Sequence, residues 1–202
     1  MDAFLRKAAA VPAVGGKRGR LVFALDATMS RQPTWDLALS LQGRMFDAAA
    51  ALGGLDVQLV YFRGMAECRA SSFIANGAGL AALMAKISVQ GGQTQIARVL
   101  EHVRGETRRA PVGALVYVGD AMEENVDILC GLAGELALLG VKAFMFHEGA
   151  DPVAAGAFRE IARLTGGAYA AGGSRALEAL ALQPKGDEAR LLLTQMRQGR
   201  GS

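Results

Sequence analysis

Cysteine is nearly absent: Cys68 and Cys130 are the only two in 202 residues. Two thiols are too few for a disulfide scaffold, and they read as buried free thiols of a reducing compartment. Histidine is as scarce, with only His102 and His147. Aromatic residues make up 6% of the chain, with one Trp and three scattered Tyr. No basic stripe interleaved with aromatics exists, so nucleic acid is not expected as a partner. Long hydrophobic runs are missing too. Every apolar stretch is broken by charge well short of the ~20 residues that cross a bilayer, so no membrane partner is expected. At the N-terminus, Arg6 and Lys7 precede only a short Ala/Val run cut by Pro12. That is a poor secretory signal, and the expected location is cytoplasmic. The chain also lacks a P-loop, a G-x-G-x-x-G turn after a strand and a G-x-S-x-G elbow.

What is present is apolar. Hydrophobic residues are 51% and charged residues 20%, which excludes a disordered chain. The net charge of +3 is unevenly placed. Residues 1–20 hold Arg6, Lys7, Lys17, Arg18 and Arg20 against Asp2, or +4, so the other 182 residues carry −1. The basicity belongs to an N-terminal arm, 1–20, and reads as a solvated lead-in. A domain is expected over 21–183, closed by the break at Pro184-Lys185-Gly186. A tail follows over 184–202, where Ala189, Leu192, Leu193 and Met196 mark an amphipathic helix.

Within the domain, periodicities alternate. Leu21–Asp26, Asp56–Phe62, Ala114–Gly119, Val141–Phe146 and Gly167–Ala171 read as strands, and Glu67–Ser71 as a short edge strand. Between them lie helical stretches. One opens at Pro33-Thr34, with Leu37, Leu41, Met45, Ala48 and Leu52 on one face. Others are Gly79–Ile87, a helix with Ile96, Val99, Leu100 and Val103 on one face, Val126–Leu139, and a helix capped by Asp151-Pro152 that runs to Leu164. Ser174–Gln183 reads as a short last helix. Strand–helix alternation with continuous apolar strands predicts an α/β fold: a doubly wound, mostly parallel six-stranded sheet with helices on both faces.

The polar residues that interrupt the strands carry the chemistry. The first strand ends in Asp26-Ala27-Thr28-Met29-Ser30, and the strand 114–119 ends in Asp120. Between them, Gly91-Gly92-Gln93-Thr94 reads as a flexible loop that places a hydroxyl before a helix. In open parallel sheets ligands bind beyond the carboxyl ends of strands, where the strand order reverses. Asp26, Thr28, Ser30, Thr94 and Asp120 then offer two carboxylates and three hydroxyls. These are hard oxygen donors, suited to Mg2+ or Mn2+ and unsuited to Zn2+ or copper. Taken singly, each has a plain structural role, such as capping a turn or a helix.

At these residues the sequence resembles the von Willebrand factor type A (VWA) domain. Asp26-Ala27-Thr28-Met29-Ser30 is similar to its D-x-S-x-S motif, with Thr for the middle Ser. Thr94 is similar to its separate threonine and Asp120 to its second aspartate. The resemblance runs from about Leu21 to Ala171. It implies a metal-ion-dependent adhesion site (MIDAS) made of Asp26, Thr28, Ser30, Thr94 and Asp120. It further implies a protein-binding role, with Mg2+ completed by an Asp or Glu carboxylate of a partner protein, AAA-type ATPases being one implied class. The chain departs from the family at its end, where only a short segment follows the last strand.

Around the site, Glu123 and Glu124 read as acids facing a helix N-terminus. Arg31 reads as a solvated arginine, His147 as a rim residue with no partner in sequence, and His102 as exposed. Two other functions compete. A Mg2+-dependent phosphohydrolase on a similar sheet needs a nucleophile or base, and the dehalogenase-like kind wants an acid at position 28, where Thr28 stands. A scaffold would hold a structural metal or none. The expectation is a binding module and no enzyme.

Overall fold

The computed structural model describes residues 19–28, 55–75 and 77–172. The expected helix 33–52, Ser30, Arg31, most of the basic arm, and the segments 174–183 and 184–202 lie outside the described residues. The elements in chain order are β1 (Gly19–Asp26), β2 (Leu55–Arg63), β3 (Glu67–Ile74), α1 (Gly77–Met84), α2 (Ile96–Arg109), β4 (Ala114–Gly119), α3 (Val126–Leu138), β5 (Lys142–His147), α4 (Pro152–Leu164) and β6 (Ala168–Ala171). The strands form one six-stranded sheet in the order β3-β2-β1-β4-β5-β6. All pairings are parallel except β2–β3, which is antiparallel, so β3 is an edge strand as its composition predicted.

The central strands β1, β4 and β5 are largely apolar because both faces are covered. Val22 and Ala24 of β1, with Phe62, Leu115 and Tyr117, pack toward Ile96, Val99, Leu100 and Val103 of α2 and toward α3 and α4. Phe23 and Leu25 point the opposite way, to Leu80 and Met84 of α1 and to Val116, Val118 and Phe146. This period-2 division is what a strand buried on both sides requires. Asp151 caps α4 as its sequence indicates, its carboxylate accepting from the Val153 N–H at 2.9 Å.

Several local expectations change. The helix read over Gly79–Ile87 starts at Gly77 and ends at Met84, and the edge strand read as Glu67–Ser71 runs on to Ile74. Arg20, counted with the basic lead-in, lies in β1. Its guanidinium donates to Ala110 O at 2.6 Å and Glu106 Oε2 at 2.9 Å, and sits 3.8 Å over the Phe73 ring, tying the start of the sheet to the end of α2. Cys68 and Cys130 are half-buried free thiols rather than buried ones. His102 is half-buried rather than exposed, because its Nε2 meets Gln58 Oε1 at 2.8 Å. Gln58 is itself buried on β2 and donates to Ser71 O at 2.9 Å.

Burial lowers the His102 pKa from its ordinary 6.5, with Glu106 opposing and Arg109 adding to the fall. The unfolded chain then binds the proton more readily. Stability from this group is full above the unfolded pKa and declines as pH falls toward the folded value. Urea unfolding at stepped pH is expected to show this decline below about pH 6.5. His102→Gln, which keeps a donor for Gln58, should flatten it. An unchanged slope in the variant would remove His102 as the cause.

Candidate functional site

β1 and β4 are neighbours, and β1 is where the chain order reverses: β2 lies on one side and β4 on the other. The register pairs Leu25 with Val118, so Asp26 stands beside Gly119, one residue short of Asp120. Asp26 is fully buried. Its Oδ1 accepts the Thr28 N–H at 2.8 Å, an Asx-type turn that bends the chain off the strand. Thr28 is buried as well and forms a parallel bridge with Gln90, the residue that leads into the Gly91-Gly92 loop. Asp120 is half-buried, and its Oδ1, shielded from solvent, has no hydrogen-bond partner among the described residues. Asp26, Thr28 and Asp120 therefore meet at one end of the sheet. Ser30 lies outside the described residues.

The loop carrying Thr94 is tied to the β2–β3 turn. Gly64, at φ +61° in the β2–β3 turn, presents its carbonyl to the Gln93 N–H at 3.2 Å and to Gln95 Nε2 at 3.3 Å. Gly92 lies flat against the same turn. A Cβ there would fall 2.1 Å from Gly64 O, whereas one on Gly91 would meet nothing within 4 Å. The expected flexible glycine pair thus contains one packed glycine and one open one.

Thr94 is bound to the loop after Asp120 by a reciprocal pair. Its N–H donates to Glu123 Oε2 at 3.1 Å, and its Oγ1 accepts the Glu123 N–H at 3.0 Å. Glu124 adds two bonds, accepting from the Ile96 N–H at 2.5 Å and the Ala97 N–H at 2.9 Å. Both acids do face a helix N-terminus. It is that of α2, about thirty residues earlier in the chain, and not that of the adjacent α3. Asn125 caps α3, accepting from the Asp127 and Ile128 N–H groups. Gln95, at the cap position of α2, makes no side-chain capping bond, so Glu124 takes that role from another loop. Four hydrogen bonds hold the Asp120 loop and the Thr94 loop as one unit. The only sequence signal for this was the pair of acids after Asp120.

Glu124→Ala leaves two N–H groups at the start of α2 without their charged acceptor. A loss of about 2 kcal/mol in unfolding free energy is expected. Glu124→Gln, which keeps an acceptor oxygen, should recover part of it. Denaturant titration of the three proteins measures both, and equal stability of the Glu124→Ala variant and wild type would deny Glu124 the capping role.

His147 stands beside Gly119 at the same end of the sheet. His147 is 2% exposed and so is not a surface residue. Its Nδ1 lies 3.0 Å from Tyr169 Oη and its ring packs edge-on against Phe158. Among the described residues no three His, Cys, Asp or Glu side chains converge. A cation at the sheet end would therefore draw on hydroxyls besides Asp26 and Asp120.

No protein-family model and no curated protein matches the sequence. Solved structures do match. The chain resembles the SpRpn10 VWA domain at 13% identity and TM-score 0.57, covering 83% of this chain and 96% of that one. It resembles the N-terminal domain of TFIIH p34 at 12% identity and TM-score 0.60, covering 83% and 98%. It also resembles proximal thread matrix protein 1 of the mussel byssus, a structure with a zinc-occupied MIDAS motif, at 16% identity and TM-score 0.63. There the match covers 89% of this chain but 46% of the other, so the chain spans just under half of that protein. With the strand order above, these likenesses give the chain the fold of von Willebrand factor type A domains.

Proposed function

We propose that this protein is a protein-binding module in which a divalent cation, held by Asp26, Thr28, Ser30, Thr94 and Asp120, bridges to a carboxylate of a partner protein. The observation that carries the reading is that Asp26 and Asp120 stand at the ends of adjacent strands at the switch point of the sheet, with a solvent-shielded Asp120 oxygen that no described group satisfies. Buried acceptors are ordinarily bonded, and an exception in such a place fits a ligand. Thr94 Oγ1 accepts one hydrogen bond and keeps a second lone pair for a cation. The donors are oxygens only, which fits Mg2+ or Mn2+. Two carboxylates roughly neutralise the ion and leave it able to take an anionic oxygen from outside. VWA-fold neighbours that belong to larger assemblies support a partner that is a protein, with an AAA-type ATPase as one candidate class.

Calorimetry with Mg2+, Mn2+ and Zn2+ tests the site, and partner capture with Mg2+ against EDTA tests its use. Magnesium or manganese binding with capture lost in EDTA is the expected result. Tight zinc binding without a magnesium response would overturn the metal assignment. Capture that ignores EDTA would leave the scaffold reading in its place. Turnover of a generic phosphate ester that requires Asp26 would instead favour the phosphohydrolase.

A further inference from the structure

The edge of the sheet far from β6 carries a second surface. β3 is the terminal strand on that side, and no described strand pairs with its outer edge. It runs for eight residues, ECRASSFI, without proline. Edge strands that must stay single are usually short, interrupted by proline or covered. The ladder to β2 shifts register between Gln58 and Val60, and the Leu59 N–H is taken by Ser71 Oγ at 3.1 Å, a bulge that twists the edge locally.

Beside this strand a cavity of about 240 Å³ opens between the sheet and the chain leaving α1. Leu59 and Tyr61 line the sheet side, Leu83 and Ile87 the helix side, and Arg69 and Lys86 the rim. The charge around it is one-sided. Glu67 accepts from Arg63 Nε at 2.9 Å and Arg69 Nε at 2.8 Å, so its carboxylate is already met. With Lys86 added, three cations stand against that one acid. The Arg69 side chain is 70% exposed. An open strand edge, an apolar slot beside it and a basic rim match the way extended peptides add to a sheet, with backbone bonds for affinity and pockets for alternate side chains.

We propose that the groove between β3 and the end of α1 binds an extended acidic segment of a partner protein by strand addition, one apolar side chain filling the slot and flanking carboxylates meeting Arg69 and Lys86. This surface is separate from the metal site and needs no cation. The probe is a short synthetic peptide alternating Val or Leu with Asp or Glu, titrated into isotopically labelled protein in EDTA and followed by amide chemical shifts. Two controls replace the acids by Lys, or the central apolar residue by Pro. Saturable shifts along 67–74 and at Lys86 are expected with the acidic peptide only. The double variant Arg69→Glu, Lys86→Glu, both at exposed positions, should bind about tenfold more weakly or worse, because attraction becomes repulsion. Circular dichroism confirms that the variant is folded. Absence of shifts with the acidic peptide, equal binding of the Lys or Pro peptide, or shifts confined to the Asp26–Asp120 end would overturn the proposal. Because EDTA is present throughout, binding or its absence at the groove is read apart from the metal bridge.

Discussion

Asp120→Ala should abolish magnesium binding and leave the apo protein as stable as wild type or slightly more so. Asp26→Ala should abolish binding equally but weaken the fold. The two carboxylates sit at the same end of adjacent strands, yet their surroundings differ. Asp120 Oδ1 is shielded from solvent without a hydrogen-bond partner among the described residues. Its removal takes away a cost in the absence of metal. Asp26 Oδ1 holds the Thr28 N–H at 2.8 Å inside the fold. Removing it strands a buried donor, which costs roughly 1–3 kcal/mol. Loss of either charged ligand should reduce affinity by more than about 100-fold, since even second-sphere changes cost roughly 10- to 100-fold. Asp26→Asn separates the two roles. It keeps an acceptor for Thr28 and loses the charge, so the fold should recover while binding stays lost. Urea unfolding in EDTA and calorimetry with Mg2+ give the two readouts. Magnesium binding by folded Asp120→Ala at wild-type affinity would end the proposed site.

Gly92→Ala is the second large effect, and Gly91→Ala is its control. Neither glycine has a positive φ, so backbone conformation alone forbids neither substitution. Packing distinguishes them. A Cβ on Gly92 would lie 2.1 Å from Gly64 O and 2.5 Å from its Cα, and both atoms belong to the backbone of a tight turn. The turn cannot yield without releasing the Gln93 and Gln95 bonds to the Gly64 carbonyl. A loss of about 3 kcal/mol is expected, at the upper end of overpacking costs. Thr94 should shift with the loop, so the surviving folded protein should also bind magnesium more weakly. Gly91→Ala should change unfolding free energy by less than about 0.5 kcal/mol. Chemical denaturation of both variants decides the matter, and equal behaviour of the two would refute the close contact.

Among the described residues, the amino-acid sequence by itself indicated the order and kind of the strands and helices and the ends of some of them. Ala114–Gly119 and Pro152–Leu164 have the bounds that their apolar runs and caps indicate, because burial on a known face is written into local periodicity. It also indicated the sheet class and the neighbouring placement of Asp26 and Asp120, since parallel strands with crossover helices leave few chain paths. Other features arose only from contacts between residues far apart in the chain. Glu124 follows Asp120 by four residues, but the helix end it caps lies 28 residues earlier, and nothing local chooses between that helix and the next. His102 has an outward-looking helical neighbourhood in sequence and becomes half-buried only because β2 brings Gln58 against it. Gly91 and Gly92 are indistinguishable as letters. The β2–β3 turn packs on one and leaves the other open. The basic groove beside β3 likewise joins residues of two strands and the end of α1. Local propensity depends on a residue and its sequence neighbours, whereas caps supplied from another loop, close backbone approaches and grooves depend on which elements the crossovers set side by side.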